Sequence, residues 1–250
     1  MKTLGLMAGI AMAGAAHAAD ITVLATPAIK EAYAELAPLF EKQTKHKVST
    51  TWVGTAELAK RLNEGAVFDA VICASNLLEE LTDTGKVMAG SRSDVARSGV
   101  GVAVKVGAAK PQFGSEEALK KTLISAKAIG ISTGPSGVYL NELFQRMGVL
   151  DQIKPKFKVP APGGMVSELV AKGEADIGFQ QVSELVNKKG VDFVGALPDS
   201  LQKVTLFSGG VHSRSEQPDV ARAFLRFIAS AEHEPMLRKH GLQLGAPSPY

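Results

Sequence analysis

Ser98-Gly-Val-Gly-Val-Ala-Val-Lys105 and Lys203-Val-Thr-Leu-Phe-Ser-Gly-Gly-Val211 are two long runs of strand composition set far apart in the chain. Each is rich in valine or aromatic residues, and each carries glycines where a strand bends or passes close to a neighbour. On either side of them, short apolar runs alternate with segments of helical period, which is the pattern of an α/β protein. The two runs divide that alternation. Residues 19–98 together with 213–250 make one lobe, and 105–204 make the other. Residues 99–104 and 205–212 are the crossover strands between them. Each lobe is expected to be a mixed sheet flanked by helices, and ligands of such molecules sit in the cleft between the lobes.

Outward from the crossovers the pattern is regular. Ile21 to Ala25, Lys47 to Val53 and Phe68 to Cys73 read as strands of the first lobe. Between them lie a helix with Ile29, Tyr33, Leu36 and Phe40 on one face, and a second helix from Thr55 carrying Leu58 and Leu62. In the middle piece, Lys127 to Ser132, Ala175 to Phe179 and Val191 to Val194 are strands, and helices carry Leu140, Leu143, Phe144 and Met147, then Val166, Leu169 and Val170. After the second crossover, Ser215 is placed to cap a helix whose stripe is Val220, Ala223, Phe224, Phe227 and Ile228. A final helix starts near Pro235. The basic run Lys42 to Lys47 reads as a solvated helix end, and Trp52 and Tyr33 as packing residues.

The chain begins with one lysine, an apolar stretch from Leu4 to Ala16 and the small-x-small site Ala16-His17-Ala18. That is the pattern of a cleaved signal peptide, residues 1–18, and it predicts export to the periplasm. The apolar run is shorter than the ~20 residues a membrane-spanning helix needs. Removing it leaves 232 residues (250 minus 18) and a charge close to neutral, with 27 Lys+Arg against 25 acids. No basic block with interleaved aromatics appears, so nucleic acid is not an expected partner. Cys73 is the only cysteine and sits in an apolar strand, as a small core residue does. No phosphate loop, dinucleotide fingerprint, nucleophile elbow or metal-ligand spacing is found, so neither cofactor nor metal is expected.

Four strand-to-helix junctions share a chemistry: Ala25-Thr-Pro-Ala28, Val53-Gly-Thr-Ala56, Thr133-Gly-Pro-Ser-Gly137 and Pro162-Gly-Gly-Met165. Each is rich in Gly, Pro, Ser or Thr and opens a helix. The first turn of a helix presents free N–H groups and the positive end of its dipole, so it receives anions without Lys or Arg. Any one such junction is also what ordinary capping looks like. Together, two per lobe and all at the carboxyl ends of strands, they predict a site for a small anion.

The landmarks Ile21-Thr-Val-Leu-Ala25, Thr55-Ala-Glu-Leu-Ala-Lys-Arg-Leu-Asn-Glu-Gly65, Phe68-Asp69, Pro135-Ser-Gly-Val-Tyr139 and Gly173-Glu-Ala-Asp-Ile-Gly178 resemble the periplasmic molybdate-binding proteins of ABC importers and their wider family. The resemblance runs over the whole mature chain. It implies a two-lobed type II binding-protein fold, no cofactor, a monomer, and the membrane subunits of an importer as partners. It places the family's oxyanion contacts at Ala28, Thr55, Ser136, Gly163 and Gln181. Ala28 brings no hydroxyl and Gln181 brings an amide in place of a phenol. Losing a hydrogen bond to a charged group costs ~1.5–3 kcal/mol, so the paired amides Gln180 and Gln181 point instead to a ligand with several carboxylate oxygens. The chain is also similar to an aconitate isomerase branch on the same scaffold.

The expectation is therefore a binding protein that captures a small anion, an organic polycarboxylate ahead of a molybdate-like oxyanion, for an importer. The alternative is a cofactor-free isomerase that interconverts cis- and trans-aconitate. The ligand set is Thr26, Ala28, Lys30, Gly54, Thr55, Ser136, Gly137, Gly163, Gly164, Gln180 and Gln181. For the isomerase, His212 at the second crossover has the fitting unperturbed pKa, and Tyr139, one turn into its helix, is the other candidate base.

Overall fold

The computed structural model describes residues 18–161 and 164–245. The signal-peptide reading and the Gly163 assignment fall on residues outside these. The first part of the chain forms β1 (Asp20–Ala25), α1 (Lys30–Thr44), β2 (Lys47–Trp52), α2 (Thr55–Asn63), β3 (Ala70–Ala74), α3 (Ser75–Asp83) and β4 (Ser93–Ser98). The middle forms β5 (Val100–Lys105), α4 (Glu116–Ser125), β6 (Ile129–Ile131), α5 (Pro135–Arg146), α6 (Leu150–Ile153), β7 (Phe157–Lys158), α7 (Val166–Lys172), β8 (Ile177–Gln181), α8 (Val182–Leu185) and β9 (Val191–Ala196). The last part adds β10 (Thr205–Val211), α9 (Pro218–Ile228), α10 (Glu234–Lys239) and β11 (Gln243–Leu244).

Two mixed sheets result. The first has the order β11-β4-β10-β3-β1-β2 and the second β7-β6-β8-β5-β9. The chain leaves the first sheet at Gly99, between β4 and β5, and returns between β9 and β10. Gly99 has no room for a side chain, because a Cβ there would lie 2.9 Å from the amide of Gln202. Gln202 bonds both halves of the crossing. It accepts from Val100 N–H at 2.7 Å and donates to the carbonyls of Val100 and Leu197 at 3.0 and 3.2 Å.

The core of the first lobe is continuous across α1, α9 and the sheet. Tyr33, Phe40 and Phe224 meet edge to face, and Tyr33 also packs on Trp52 at 4.9 Å between ring centroids. Both aromatics are packing residues, Tyr33 from the apolar stripe of α1 and Trp52 from the end of β2. Cys73 lies in the centre of the buried strand β3 and is fully buried. In the second lobe, Gly130 and Gly178 let α7 lie close on the sheet, since a Cβ on either would meet Val166 at 2.8 Å. Ser215 does not cap α9. Its hydroxyl donates to Asp69 at 2.7 Å and accepts from Gln217 N–H at 3.1 Å, while the helix starts at Pro218. The proline fixes the first helical φ and needs no donor partner, so the cap was not required of Ser215. Lys45 ends α1 in the left-handed conformation and Lys47 pairs with Glu41, a solvated helix end.

Candidate functional site

Strand register gathers the junctions on one edge of each sheet. β1 and β2 run parallel and end together, Ala25 opposite Trp52, and Val53 N–H donates to the Ala25 carbonyl at 3.0 Å. Thr26 N–H donates to the Ile72 carbonyl at 3.0 Å, so β3 ends beside them. β10 is antiparallel to β3 and begins at this same edge, with Thr205 opposite Ser98 on β4. In the second sheet Ile131 lies opposite Phe179 on the parallel strand β8, and Val100 at the start of β5 lies opposite Gln181. The openings of α1, α2, α5 and α8 therefore flank the place where the chain crosses between the sheets.

In the first lobe these openings are sparsely bonded. Thr26 and Ala28 are buried, with 4% exposure each. The Thr26 hydroxyl makes no cap bond, and Gly54, the residue before α2, has no side chain to offer. Thr55 is half-buried and begins α2. Lys30 is exposed, with its ammonium 6.0 Å from the centre of the Trp52 ring. This is a weak cation–π approach that leaves the charge in solvent.

The second lobe has bonded its polar groups to one another. Ser136 is buried, and its hydroxyl lies 3.1 Å from that of Ser132, a serine the sequence reading passed over. Gly137 is obligatory, because a Cβ there would fall 1.7 Å from the Ser132 carbonyl oxygen. Gly164 N–H closes a turn onto the Ala161 carbonyl at 2.8 Å. Gln180 is buried under this edge. Its Oε1 accepts from Val166 N–H at 2.9 Å, the first N–H of α7, and its Nε2 donates to Glu184 at 2.9 Å. Gln181 serves the crossing, donating to the carbonyls of Ser98 and Gly99 at 2.9 and 3.2 Å and accepting from the Thr205 hydroxyl at 3.0 Å.

Both candidate bases are engaged elsewhere. His212 is not at the crossover. It follows Val211, which pairs with Ala70 at the start of β3, so it lies at the opposite end of the first sheet from the openings. The antiparallel course of β10 puts it there: the strand enters at the crossing and carries its last residue away. Its Nδ1 accepts from Arg214 N–H at 3.1 Å, and burial, with Arg214 beside it, holds its pKa below the usual histidine range. Tyr139 is buried and its hydroxyl donates to the Leu201 carbonyl at 2.9 Å. Its place in the apolar stripe of α5 sends the ring into the core.

A buried titratable group beside the end of β8 is Glu184, in the first turn of α8. It is buried, and burial raises its pKa to about 7, against the pull of Lys188, the Gln180 amide and the Gln181 N–H. Gln181-Val-Ser-Glu184 has the spacing of a capping box with Gln at the cap position, a pattern hidden in the sequence by the apolar strand before it. Lys188 reaches across to Glu31 on α1, and Asn187 Nδ2 donates to the Lys239 carbonyl at 3.2 Å. A Cβ on Gly241 would lie 2.8 Å from Val182. The segment 180–188 is thus held by both lobes at once. Among the described residues, no group of three or more His, Cys, Asp or Glu is placed to hold a metal ion.

A two-lobed frame of mixed sheets, with helix openings facing a crossing, defines a solute-binding architecture. Residues 21–243 match the family of bacterial extracellular solute-binding proteins, and the chain belongs to it. An aconitate isomerase from Pseudomonas sp. is 35% identical, over 95% of this chain and 93% of that protein. The molybdate-binding protein ModA of Rhodobacter capsulatus is 25% identical over 95% of this chain and 93% of its own length. Among solved structures, the periplasmic molybdate-binding protein of Azotobacter vinelandii superposes with a TM-score of 0.76 at 19% identity, covering 91% of this chain and all of that one. The type II binding-protein fold expected from the sequence is the fold found.

Proposed function

We propose that this protein works outside the cytoplasm, takes a small polycarboxylate into its cleft, and interconverts the isomers of aconitate. The observation that carries the reading is the 35% identity to an aconitate isomerase over nearly the whole chain, against 25% to the molybdate-binding relative. The site is in keeping with it in one respect. Ala28 gives no hydroxyl to a compact oxyanion; the amides of Gln180 and Gln181, expected from the sequence to meet carboxylate oxygens, are instead spent on Val166, Glu184 and the crossing, so they lend the polycarboxylate no support. Ligand contacts would come from backbone N–H groups and hydroxyls at Thr26, Gly54, Thr55, Ser136 and Gly137, with Lys30 at the rim for an outlying carboxylate.

The reaction is a 1,3-proton shift. A carbon-bound proton leaves for a base, the double bond moves by one position, and a proton is returned at the far carbon of the three. Atoms balance without a cofactor, and the requirement is a base plus donors for the enolate-like charge. His212 lies at the far end of the first sheet and the Tyr139 hydroxyl is spent on the Leu201 carbonyl, so neither is given the role of base.

The test is proton NMR of the mature protein with trans-aconitate. Conversion to cis-aconitate well above the uncatalysed rate is the expected result. Broadened ligand lines without conversion would support a second reading, a polycarboxylate receptor for an ABC importer, which the family and the Azotobacter likeness favour. Neither broadening nor conversion would remove both and turn the search to oxyanions, molybdate first.

A further inference from the structure

At the cleft edge the cations are Lys30, Lys188 and Lys203, whose ammonium lies 5.5 Å from the centre of the Tyr139 ring. Lys30 leans on Trp52 in solvent, and Lys188 is already paired with Glu31. A negative group is linked through Gln180 to the opening of α7. Glu184 is buried at the head of α8, tied to Gln180 and through it to the first N–H of α7. An anion arriving at this edge meets a carboxyl that cannot be screened by water, and two such charges at close range in a buried setting do not both persist.

We propose that Glu184 takes up a proton when the cleft takes its anion, so that capture is proton-coupled. The inference rests on the small-anion reading above and adds to it how the charge is balanced. The step is simple: one carboxylate, one solvent proton and one anion give the complex with Glu184 as the neutral acid. The Gln180 amide suits both states. Its Nε2 donates to the carboxylate, or to the remaining lone pairs of the acid.

The surroundings of Glu184 leave it free to respond. Within its own segment, Lys188 is the charge that acts on it. From α1 comes Glu31, which holds Lys188, and from the end of α10 come Lys239 and His240, both held by Glu35. The charged groups of the other elements packed on α8 (Lys105 on β5, Asp192 on β9, Glu168 and Lys172 on α7) exert no resolved pull on it. With burial putting its pKa at about 7, Glu184 is largely ionised at pH 8 and largely neutral at pH 6. A bound anion raises that pKa further. Affinity is then full below pH 7 and falls by up to about tenfold per unit above it, until the pKa of the complex is passed.

The experiment has two arms on the mature protein and on Glu184→Gln. First, carbon NMR of glutamate-labelled protein follows the side-chain carboxyls with pH. One is expected to titrate near 7 and to be missing from the variant; titration of Glu184 in the ordinary carboxylate range would overturn the proposal. Second, the Kd of trans-aconitate is measured from pH 6.5 to 8.5. The wild type should weaken roughly tenfold per unit above 7, and the variant should hold the wild type's low-pH affinity throughout. Calorimetry at pH 8 in buffers of different ionisation heat should count about one proton taken up by the wild type and none by the variant. A flat wild-type profile would overturn the proposal while leaving polycarboxylate binding intact. If trans-aconitate fails to bind but molybdate binds, the polycarboxylate reading falls alone and the same series with molybdate decides this one. Binding of neither anion overturns both.

Discussion

The two lobes open on the same cleft edge but treat it differently. In the first, the Thr26 hydroxyl caps nothing and Gly54 is bare, with nothing within 4 Å of where a Cβ would stand. In the second, Ser136 is bonded to Ser132, Gln180 to Val166 and Glu184, and Gln181 to both passes of the crossing. The difference teaches which half is made before the ligand comes. The second lobe is a finished polar surface whose orientation is fixed by its own bonds, which is what preorganisation requires. The first lobe leaves its side-chain cap positions unbonded, and the proposed ligand would supply their partners.

The sharpest way to break this contrast is a matched pair of glycine substitutions. Gly137→Ala drives a methyl into the Ser132 carbonyl, 1.7 Å away, and should cost ~3 kcal/mol or more in urea unfolding. Gly54→Ala adds a methyl to open space at a residue with φ −66°, and should cost only about 0.5–1 kcal/mol, the order of the Gly–Ala difference at a helix N-cap. Equal losses would mean that both openings are equally built.

Glu184→Gln comes next and should stabilise the protein. A carboxyl whose folded pKa is raised to about 7 from 4.5 favours the folded state most below 4.5, and that advantage is lost as the pH climbs through 7. At pH 8 the charge is a net burden, so removing it should gain on the order of 2 kcal/mol, and at pH 4 the gain should vanish. Thermal melts of both proteins at the two pH values check this. Gln181→Ala, which releases Ser98, Gly99 and Thr205 together, should lower stability by ~1–3 kcal/mol. Thr55→Ala should leave the melting temperature almost unchanged and weaken trans-aconitate binding about fivefold, the worth of one hydroxyl contact. If it lowers stability as much as Gln181→Ala does, the first lobe is not the open half.

Much of this was legible in the chain. The alternation of strand and helix and the two long runs were enough for the fold class, two mixed sheets flanked by helices. Periodicity reports which side of an element is apolar, and that is enough for a fold. It does not report which end of a strand a polar residue occupies once antiparallel neighbours are added. His212 looked like a crossover residue because it follows a crossover strand, yet the course of β10 carries it to the far end of the sheet. Tyr139 reads as a candidate cleft residue because it sits early in a helix, but its helical phase turns its hydroxyl to Leu201. Glu184, Lys188 and Gln202 were missed for another reason. Lys188 and Gln202 act through contacts between segments far apart in sequence, and no local pattern encodes a partner a hundred or a hundred and fifty positions away; Glu184 has local partners, but its burial comes from the packing of both lobes around α8.

The buried thiol of Cys73 has a practical consequence. It is fully enclosed in β3, and burial pushes its pKa up to about 12. A thiol that neither ionises nor meets solvent does not react with maleimides or oxidants. Cysteines introduced on the surface of the two lobes would therefore be the only reactive thiols of the protein, and a pair of dyes or spin labels on them could test whether the distance between the lobes changes when an anion is added, with the native residue left in place.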